Sequence, residues 1–394
     1  MRIDLTETNA GKVVSALLQA RRRAGSPAMG MVLTFVVVTD EAHHTDALLA
    51  ARAVQTEHPA RILGVIIGNR RGKPRLDAEV SIGDGAPGET VLLRLSGALT
   101  GHPVSVVTPL LLPDSPVVAW WPTEAPKEPA EDPLGRLAQR RITDCAAMTG
   151  RRTALLRQAE NYAPGNTDLS WTRLTPWRAL LAAGLEQHPV RITGATIEAE
   201  PPNASAELLG AWLGHRLQVP VERKRSKGPG ITAVRLHSAH GDIALERPDG
   251  RLAVFAIPGE ADRPVALHRR NTAELLAEEL RRLDNDDVYQ QTLLAYGSNA
   301  QQPKPPAKAS SPPAGKADDA PGGQGRTTRT PATAAAEKTA EEAARKNGRG
   351  RSKTADNSAK KTAKKTAKKP AKKAAKRTTK KTASKPAARA GAGS

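Results

Sequence analysis

The sequence predicts an α/β to α+β protein: two mixed-sheet α/β units followed by a disordered basic tail. Three observations predict it. A β-branched run, an amphipathic stretch and a second apolar run follow one another within residues 31–68, the pattern of a βαβ crossover. From residue 190 onward, short apolar runs alternate with turn formers and helical stretches. Charge is divided unevenly: residues 301–394 hold 25 Lys and Arg against 6 Asp and Glu, while the first 300 are near neutral and contain all ten aromatic residues. A segment of that composition cannot bury enough apolar surface to offset its ordering entropy. The domains expected are 1–150 (N-terminal α/β), 151–300 (C-terminal α+β) and 301–394 (disordered, rich in Lys, Ala and Pro).

The elements follow in order. Residues 6–23 carry Val13, Val14, Leu17 and Leu18 at helical spacing. Arg21–Arg23 sit at the C-terminal end, where cations suit the helix dipole, and Gly25 closes it. MVLTFVVVTD (31–40) and RILGVIIG (61–68) read as strands buried on both faces. Thr45–Glu57 between them reads as a helix with Leu48, Leu49 and Ala53 inward, so the two strands should be parallel. Strands at 76–82 and 89–96 flank the loop GDGAPG. A helical stretch from 101 is limited by Pro109, and SPVVAWWP (115–122) is an apolar strand before a loop at 123–133 rich in proline and acids. A helix is expected over Arg151–Tyr162, then a polar turn and a helix with Pro176 in its first turn. A strand follows at 190–200, where Ile192 and Ile197 share a face only if a bulge falls at Gly194. A helix at Ala204–Leu217 with Leu208, Leu209, Trp212 and Leu213 inward comes next. A three-stranded meander occupies 231–258, its last hairpin turning at Pro248-Asp249-Gly250. The final helical stretch, 271–297, is broken near Asp284–Asp287 and opens on Asn271-x-x-Glu274, a capping box.

Composition excludes several classes. One cysteine, Cys145, leaves no internal disulfide and no multi-cysteine metal site. The N-terminus has no signal-peptide core, and the apolar run 31–38 is far short of the ~20 residues of a membrane span. A soluble cytoplasmic protein with no membrane partner is expected.

Motifs for enzyme chemistry are weak. The turn after the first strand of the crossover is TDEAHH, with no G-x-G-x-x-G, and no phosphate-loop motif occurs. GDGAPGET lies between two strands and reads as a hairpin loop. His237 and His240 lack a third ligand nearby, His43-His44 reads as a helix entrance, and Cys145 has no local base. Glu131-Asp132 and Asp286-Asp287 read as solvated loop acids. No catalytic residue, cofactor or metal is assigned. The basic clusters Arg70–Arg75 and Arg223–Lys227 read as solvated loops.

A set of tryptophans and arginines stands out instead. Adjacent strand residues point to opposite faces, so one ring of Trp120-Trp121 should lie at a surface, cleft or interface. Asn166, Asp168, Trp171, Arg173, Trp177 and Arg178 crowd the start of the helix after residue 162, and Arg140 and Arg141 precede them. Trp and Arg are enriched at interface hot spots, although the same rings could equally pack one domain on the other. These ten residues are the candidate partner-binding set.

The blocks PLLLPDSPVVAWWP (109–122), DPLGRLAQRRITD (132–144), YAPGNTDLSWTRLTPWR (162–178) and HRRNTAELLAEELRRLDNDDVY (268–289) resemble the glucose-6-phosphate dehydrogenase assembly protein (OpcA) family, across essentially 1–297. The resemblance implies no catalytic activity. It implies an assembly factor and allosteric activator, a protein that binds glucose-6-phosphate dehydrogenase and promotes its active state at the entry to the oxidative pentose phosphate pathway.

The tail departs from the family pattern. KKTAKKTAKKPAKKAAKRTTKKTASKP (360–386) resembles linker-histone C-termini. Lys360, Lys361, Lys364, Lys365, Lys368, Lys369, Lys372 and Lys373 could displace counterions from nucleic-acid phosphates without reading sequence, and the absent aromatics remove base stacking. The alternatives to the assembly reading are therefore a nucleic-acid-associated protein acting through the tail, and an α/β enzyme without a familiar motif.

Overall fold

In the computed structural model, residues 1–25, 30–83 and 88–301 are described. The expected tail, its eight candidate lysines and the tip of the GDGAPG loop lie outside them.

A short strand β1 (Arg2–Leu5) precedes α1 (Ala10–Ala24). The Asn9 side chain caps α1 by accepting from Lys12 N–H, and Gly25 ends it in the left-handed region. The buried face is Val13, Ala16, Leu17 and Ala20. Leu18, expected inward, is exposed. The crossover forms as the sequence predicts: β2 (Leu33–Thr39), α2 (His44–Val54) and β3 (Ala60–Ile67), with β2 and β3 parallel and Phe35 opposite Ile62. The α2 stripe is rotated from the expected one. Ala47, Leu48, Ala51 and Val54 face inward, whereas Leu49 is exposed, because only one of two adjacent leucines can meet the sheet at 3.6 residues per turn. Ala53 is exposed as well.

β4 (Arg75–Ile82) and β5 (Gly88–Ser96) pair antiparallel. A 3-10 turn, α3 (Pro103–Val107) and a second 3-10 turn ending at Leu110 fill the stretch before β6 (Val117–Trp120). Two short strands that periodicity does not reveal follow: β7 (Arg140–Thr143) and, after α4 (Arg151–Glu160), β8 (Asn166–Asp168). The first sheet has the order β1-β4-β5-β3-β2-β6-β7-β8, with β4 alone running against the rest.

The chain continues through α5 (Leu169–Thr172), α6 (Thr175–Gln187, with proline in its first turn), β9 (Ile192–Ala199), α7 (Ala204–Leu217) and β10 (Val221–Arg225). The meander is β11 (Ile231–Ser238), β12 (Gly241–Glu246) and β13 (Leu252–Ala256), extended by β14 (Arg263–Ala266). These strands form a second sheet, β10-β9-β11-β12-β13-β14, antiparallel except for β10 beside β9. Arg223–Arg225, expected in a loop, lie in β10, an exposed edge strand whose charges discourage further pairing. The bulge that would bring Ile192 and Ile197 onto one face is present. His237 faces Gly194 while Ser238 faces Ile192, so one residue of β9 is skipped and both Ile192 and Ile197 reach the core. The last helices are α8 (Thr272–Leu280), with the Asn271/Glu274 capping box formed, and α9 (Asp287–Gln301).

Both faces of the first sheet are covered. One carries α1 and α3 over Val36, Leu63, Val91 and Trp121. The other carries α2 and the late helix α8, whose Leu275, Leu276 and Leu280 join Phe35, Ile62 and Trp120. That double cover corrects the expectation for the tryptophan pair. The two rings do point to opposite faces, but each face has its own core, so Trp120 and Trp121 are both buried. Trp120 stacks on Phe35 with ring centroids 6.0 Å apart. No helix among the described residues is long and apolar enough to cross a membrane.

Candidate functional site

The remaining candidate residues gather where β7 and β8, at the edge of the first sheet, meet α5, α6, α8 and α9. Asp168 ends β8 and caps α5. Its carboxylate accepts from Ser170 N–H (2.8 Å), Cys145 N–H (2.9 Å) and the Thr143 hydroxyl (2.6 Å). Burial, reinforced by nearby Asp144, pushes this carboxyl above the usual range despite those donors. Asp144 in turn accepts a bidentate pair from Arg173, at 2.8 and 2.7 Å.

Arg140 reaches out of β7 to α8. It donates to Glu279 Oε2 (2.6 Å) and to the carbonyl of Asp284 (2.8 Å), while Glu279 Oε1 accepts from the Thr172 hydroxyl (2.6 Å). Arg141 points the other way and has no carboxylate. It donates to Asn166 Oδ1 (2.6 Å) and to the carbonyls of Ala138 (2.7 Å) and Pro164. Burial lowers the proton affinity of its guanidinium. Gly165 makes this possible. Its φ is +88°, and a Cβ there would lie 2.3 Å from the Gln139 carbonyl and 2.8 Å from Arg141 Nη2.

Trp171 Nε1–H donates to Asp286 Oδ2 at 2.8 Å, the Arg178 guanidinium lies 3.7 Å from the Trp171 ring centre, and Tyr289 packs at 5.8 Å. Trp177 is buried with the Arg247 guanidinium 4.9 Å from its ring centre. Asp286, expected as a solvated acid, is therefore a structural acceptor.

Of the ten candidates, only Arg173 and Arg178 keep partial exposure. Asn166, Asp168, Trp171, Arg140, Arg141 and Trp177 are buried in the joint, and Trp120 and Trp121 belong to the two sheet cores. The expectation of an exposed tryptophan–arginine surface is corrected accordingly: interlocking hydrogen bonds hold most of these polar groups inside the body, while the buried Trp120 Nε1, Arg140 Nε, Asn166 Nδ2 and Arg178 Nε have no partner among the described residues. Chemically the joint is a rigid clasp. Cys145 lies at its centre, fully buried, with its thiol pushed well up by burial and by Asp168. Among the described residues no group of three or more His, Cys, Asp or Glu is placed to hold a metal ion.

Beside the clasp opens a cavity of about 400 Å³ between α6, the start of α7 and the turn before α8. Asp144, Arg173, Trp177, Glu200, Arg247 and Arg269 are among the residues that line it. The sequence reading missed Arg247 and Arg269. A signal was present for the first: Ile243, Leu245 and Arg247 alternate, and that period carries the arginine inward one residue beyond β12.

These features define a two-sheet α/β body whose polar-aromatic blocks hold its parts in fixed relation beside one arginine-lined cavity. Two family models match it, both describing a glucose-6-phosphate dehydrogenase subunit: its N-terminal domain over residues 51–160, and its C-terminal domain over 164–293. The chain belongs to the glucose-6-phosphate dehydrogenase assembly protein (OpcA) family, which ties it to that dehydrogenase as an associated protein. No curated protein matches the chain at a significant level. Among solved structures, an oxidoreductase from Sinorhizobium meliloti shares 10% identity over 68% of this chain and 87% of its own, with a TM-score of 0.34. An inositol dehydrogenase homolog from Azotobacter vinelandii, solved with NADH and myo-inositol, shares 9% over 70% and 89%, with a TM-score of 0.35. At those scores the likeness carries no argument.

Proposed function

We propose that the chain is a non-catalytic assembly factor and allosteric activator of glucose-6-phosphate dehydrogenase, acting in the cytoplasm at the entry to the oxidative pentose phosphate pathway. The observation that carries this reading is the pair of family matches, which together run from residue 51 to 293. The clasp supports it physically. A binding protein shifts a partner's equilibrium only by its differential affinity for the two states, typically ~1–3 kcal/mol or about 5–150-fold. A pre-organised surface loses less of that affinity to ordering on contact. On this reading Arg173 and Arg178 face the partner, while Trp120, Trp121, Arg140, Arg141, Asn166, Asp168, Trp171 and Trp177 hold the surface in shape.

The test is co-purification of the chain with the dehydrogenase, followed by a kinetic assay with and without it. Raised activity that Arg173→Ala or Arg178→Ala lowers, with unfolding midpoints kept, supports the reading. Full activation by both folded variants would place the contact elsewhere, and absence of any complex would overturn the proposal.

A further inference from the structure

Arg247 and Arg269 line the cavity together with Glu200, so this part of the wall carries more positive than negative charge. Arg247 is 5% exposed. Two of its nitrogens donate to backbone carbonyls, Nη1 to Leu267 (2.8 Å) and Nη2 to Ile231 (3.1 Å), while Nε has no partner. No ion pair to Arg247 or to Arg269 occurs among the described residues. Elsewhere in the body, buried Arg61 and Arg140 meet a carboxylate directly, whereas buried Arg141 meets only neutral oxygens. A buried guanidinium without a counter-charge is costly.

Arg269 brings a second cation to the same place. Gly230 lies between the two, with φ +68°. A Cβ on it would stand 4.0 Å from both Arg247 Nη2 and Arg269 Nε, so the missing side chain leaves room between the guanidinium groups. Burial first, and then Arg269, push the Arg247 pKa down to about 10, with Asp249 acting in the opposite direction. Of the carboxylates on the cavity wall, Asp144 is paired by both arms of Arg173, while Glu200 accepts the N–H of Gly230 at 3.1 Å and makes no ion pair among the described residues. Arg270, also on the wall, is held by Glu278 and the Thr172 carbonyl.

We propose that this cavity is a binding site for a small phosphate-bearing molecule, with Arg247 and Arg269 receiving the phosphate. Guanidinium pairs match the planar, bidentate geometry of phosphate oxygens. At about 400 Å³ the space falls within the ~300–1,000 Å³ of small-molecule sites and exceeds what a bare phosphate ion fills. The organic part would lie against Trp177, Pro202 and Asn203. The site stands apart from the partner reading, because binding would be measured on this chain alone.

The experiment is calorimetric titration of the full-length protein at constant ionic strength with glucose 6-phosphate, 6-phosphogluconate and NADP⁺. Glucose, gluconate and inorganic phosphate serve as the separate halves of the first two probes. Arg269→Gln, at an exposed position, and Arg247→Met are compared with the parent, with unfolding midpoints checked. The basic tail is unchanged in both variants, so its contribution cancels. At least one organic phosphate should bind, at least tenfold more weakly to Arg269→Gln, with inorganic phosphate weaker at the same residues and the neutral sugar silent. Binding unchanged in both variants would overturn the proposal, as would no binding by any of the three. If the arginines matter only when the dehydrogenase is added, an acidic side chain of the partner occupies the cavity and the small-molecule site is wrong.

Discussion

Arg140 of β7 and Glu279 of α8 are joined at 2.6 Å across the body, with both side chains less than a tenth exposed. Their sequence separation of 139 makes this contact a long-range latch. Removing one partner of such a pair strands the other charge in a low-dielectric site, which typically costs ~3–5 kcal/mol. Arg140→Met should therefore lower unfolding stability by about that amount in urea. Arg140→Met with Glu279→Met should recover a large part, since neither charge is then left alone. Equal losses in the single and the double variant would mean that the ion pair contributes nothing as a pair.

Gly165 can be tested with one methyl group. At φ +88° an L side chain is strained by ~1–2 kcal/mol from the backbone alone. The Gln139 carbonyl at 2.3 Å adds a collision with backbone that cannot step aside cheaply. Gly165→Ala should lower the urea midpoint by more than the strain alone predicts. A change within error would show that the turn between α4 and β8 relaxes freely.

Trp171 is sealed inside and tied to Asp286, so its truncation should read as a folding defect rather than a binding defect. Trp171→Ala is expected to cost ~3–5 kcal/mol, and Trp171→Phe less, losing chiefly the hydrogen bond. If Trp171→Ala abolishes dehydrogenase stimulation with an unchanged unfolding midpoint, the ring contacts the partner after all.

Cys145 gives a pH prediction. Its thiol is held well above the ordinary value of about 8.5, chiefly by burial and then by Asp168. The folded chain keeps a proton that the unfolded chain releases above about pH 8.5, so this contribution to stability is complete below that pH and is lost progressively as pH rises from there toward the raised folded value. Native protein at pH 8 should resist alkylation by iodoacetamide, with labelling that tracks unfolding by urea. Rapid labelling without unfolding would mean that the thiol is reachable. Cys145→Ala should flatten the alkaline fall in stability.

The tail yields a salt prediction from composition alone. If about eight lysines engage a duplex, the logarithm of affinity should fall with the logarithm of salt at a slope near −7. Truncation after residue 309 should abolish it while leaving dehydrogenase stimulation intact. Loss of stimulation on that truncation would move the partner contact into the tail.

The elements most legible in the sequence were those with strong periodicity. The crossover 31–68, the capped start of α8 and the break before α9 all follow from residue spacing. β7 and β8 escaped because they are only three or four residues long, and because β8 carries Asn and Asp, residues depleted in strands. They are strands because neighbouring strands and side chains satisfy their backbone, a long-range fact. The same reason explains the tryptophans. Their unusual spacing was visible, but whether a ring faces solvent depends on α8, which returns from more than 150 residues away to cover Trp120. The cavity was hidden because its arginines come from separate stretches, Arg247 and Arg269, that only the second sheet brings together.

That return of α8 also sets an order of events during synthesis. One flank of the opening sheet stays only partly covered, by α2 alone, while ribosomes translate the entire meander, until Leu275, Leu276 and Leu280 emerge to complete the shield. A nascent chain stalled before that point presents sticky aliphatic surface, so chaperone capture, premature proteolysis and inclusion-body formation should concentrate on polypeptides ending short of residue 280.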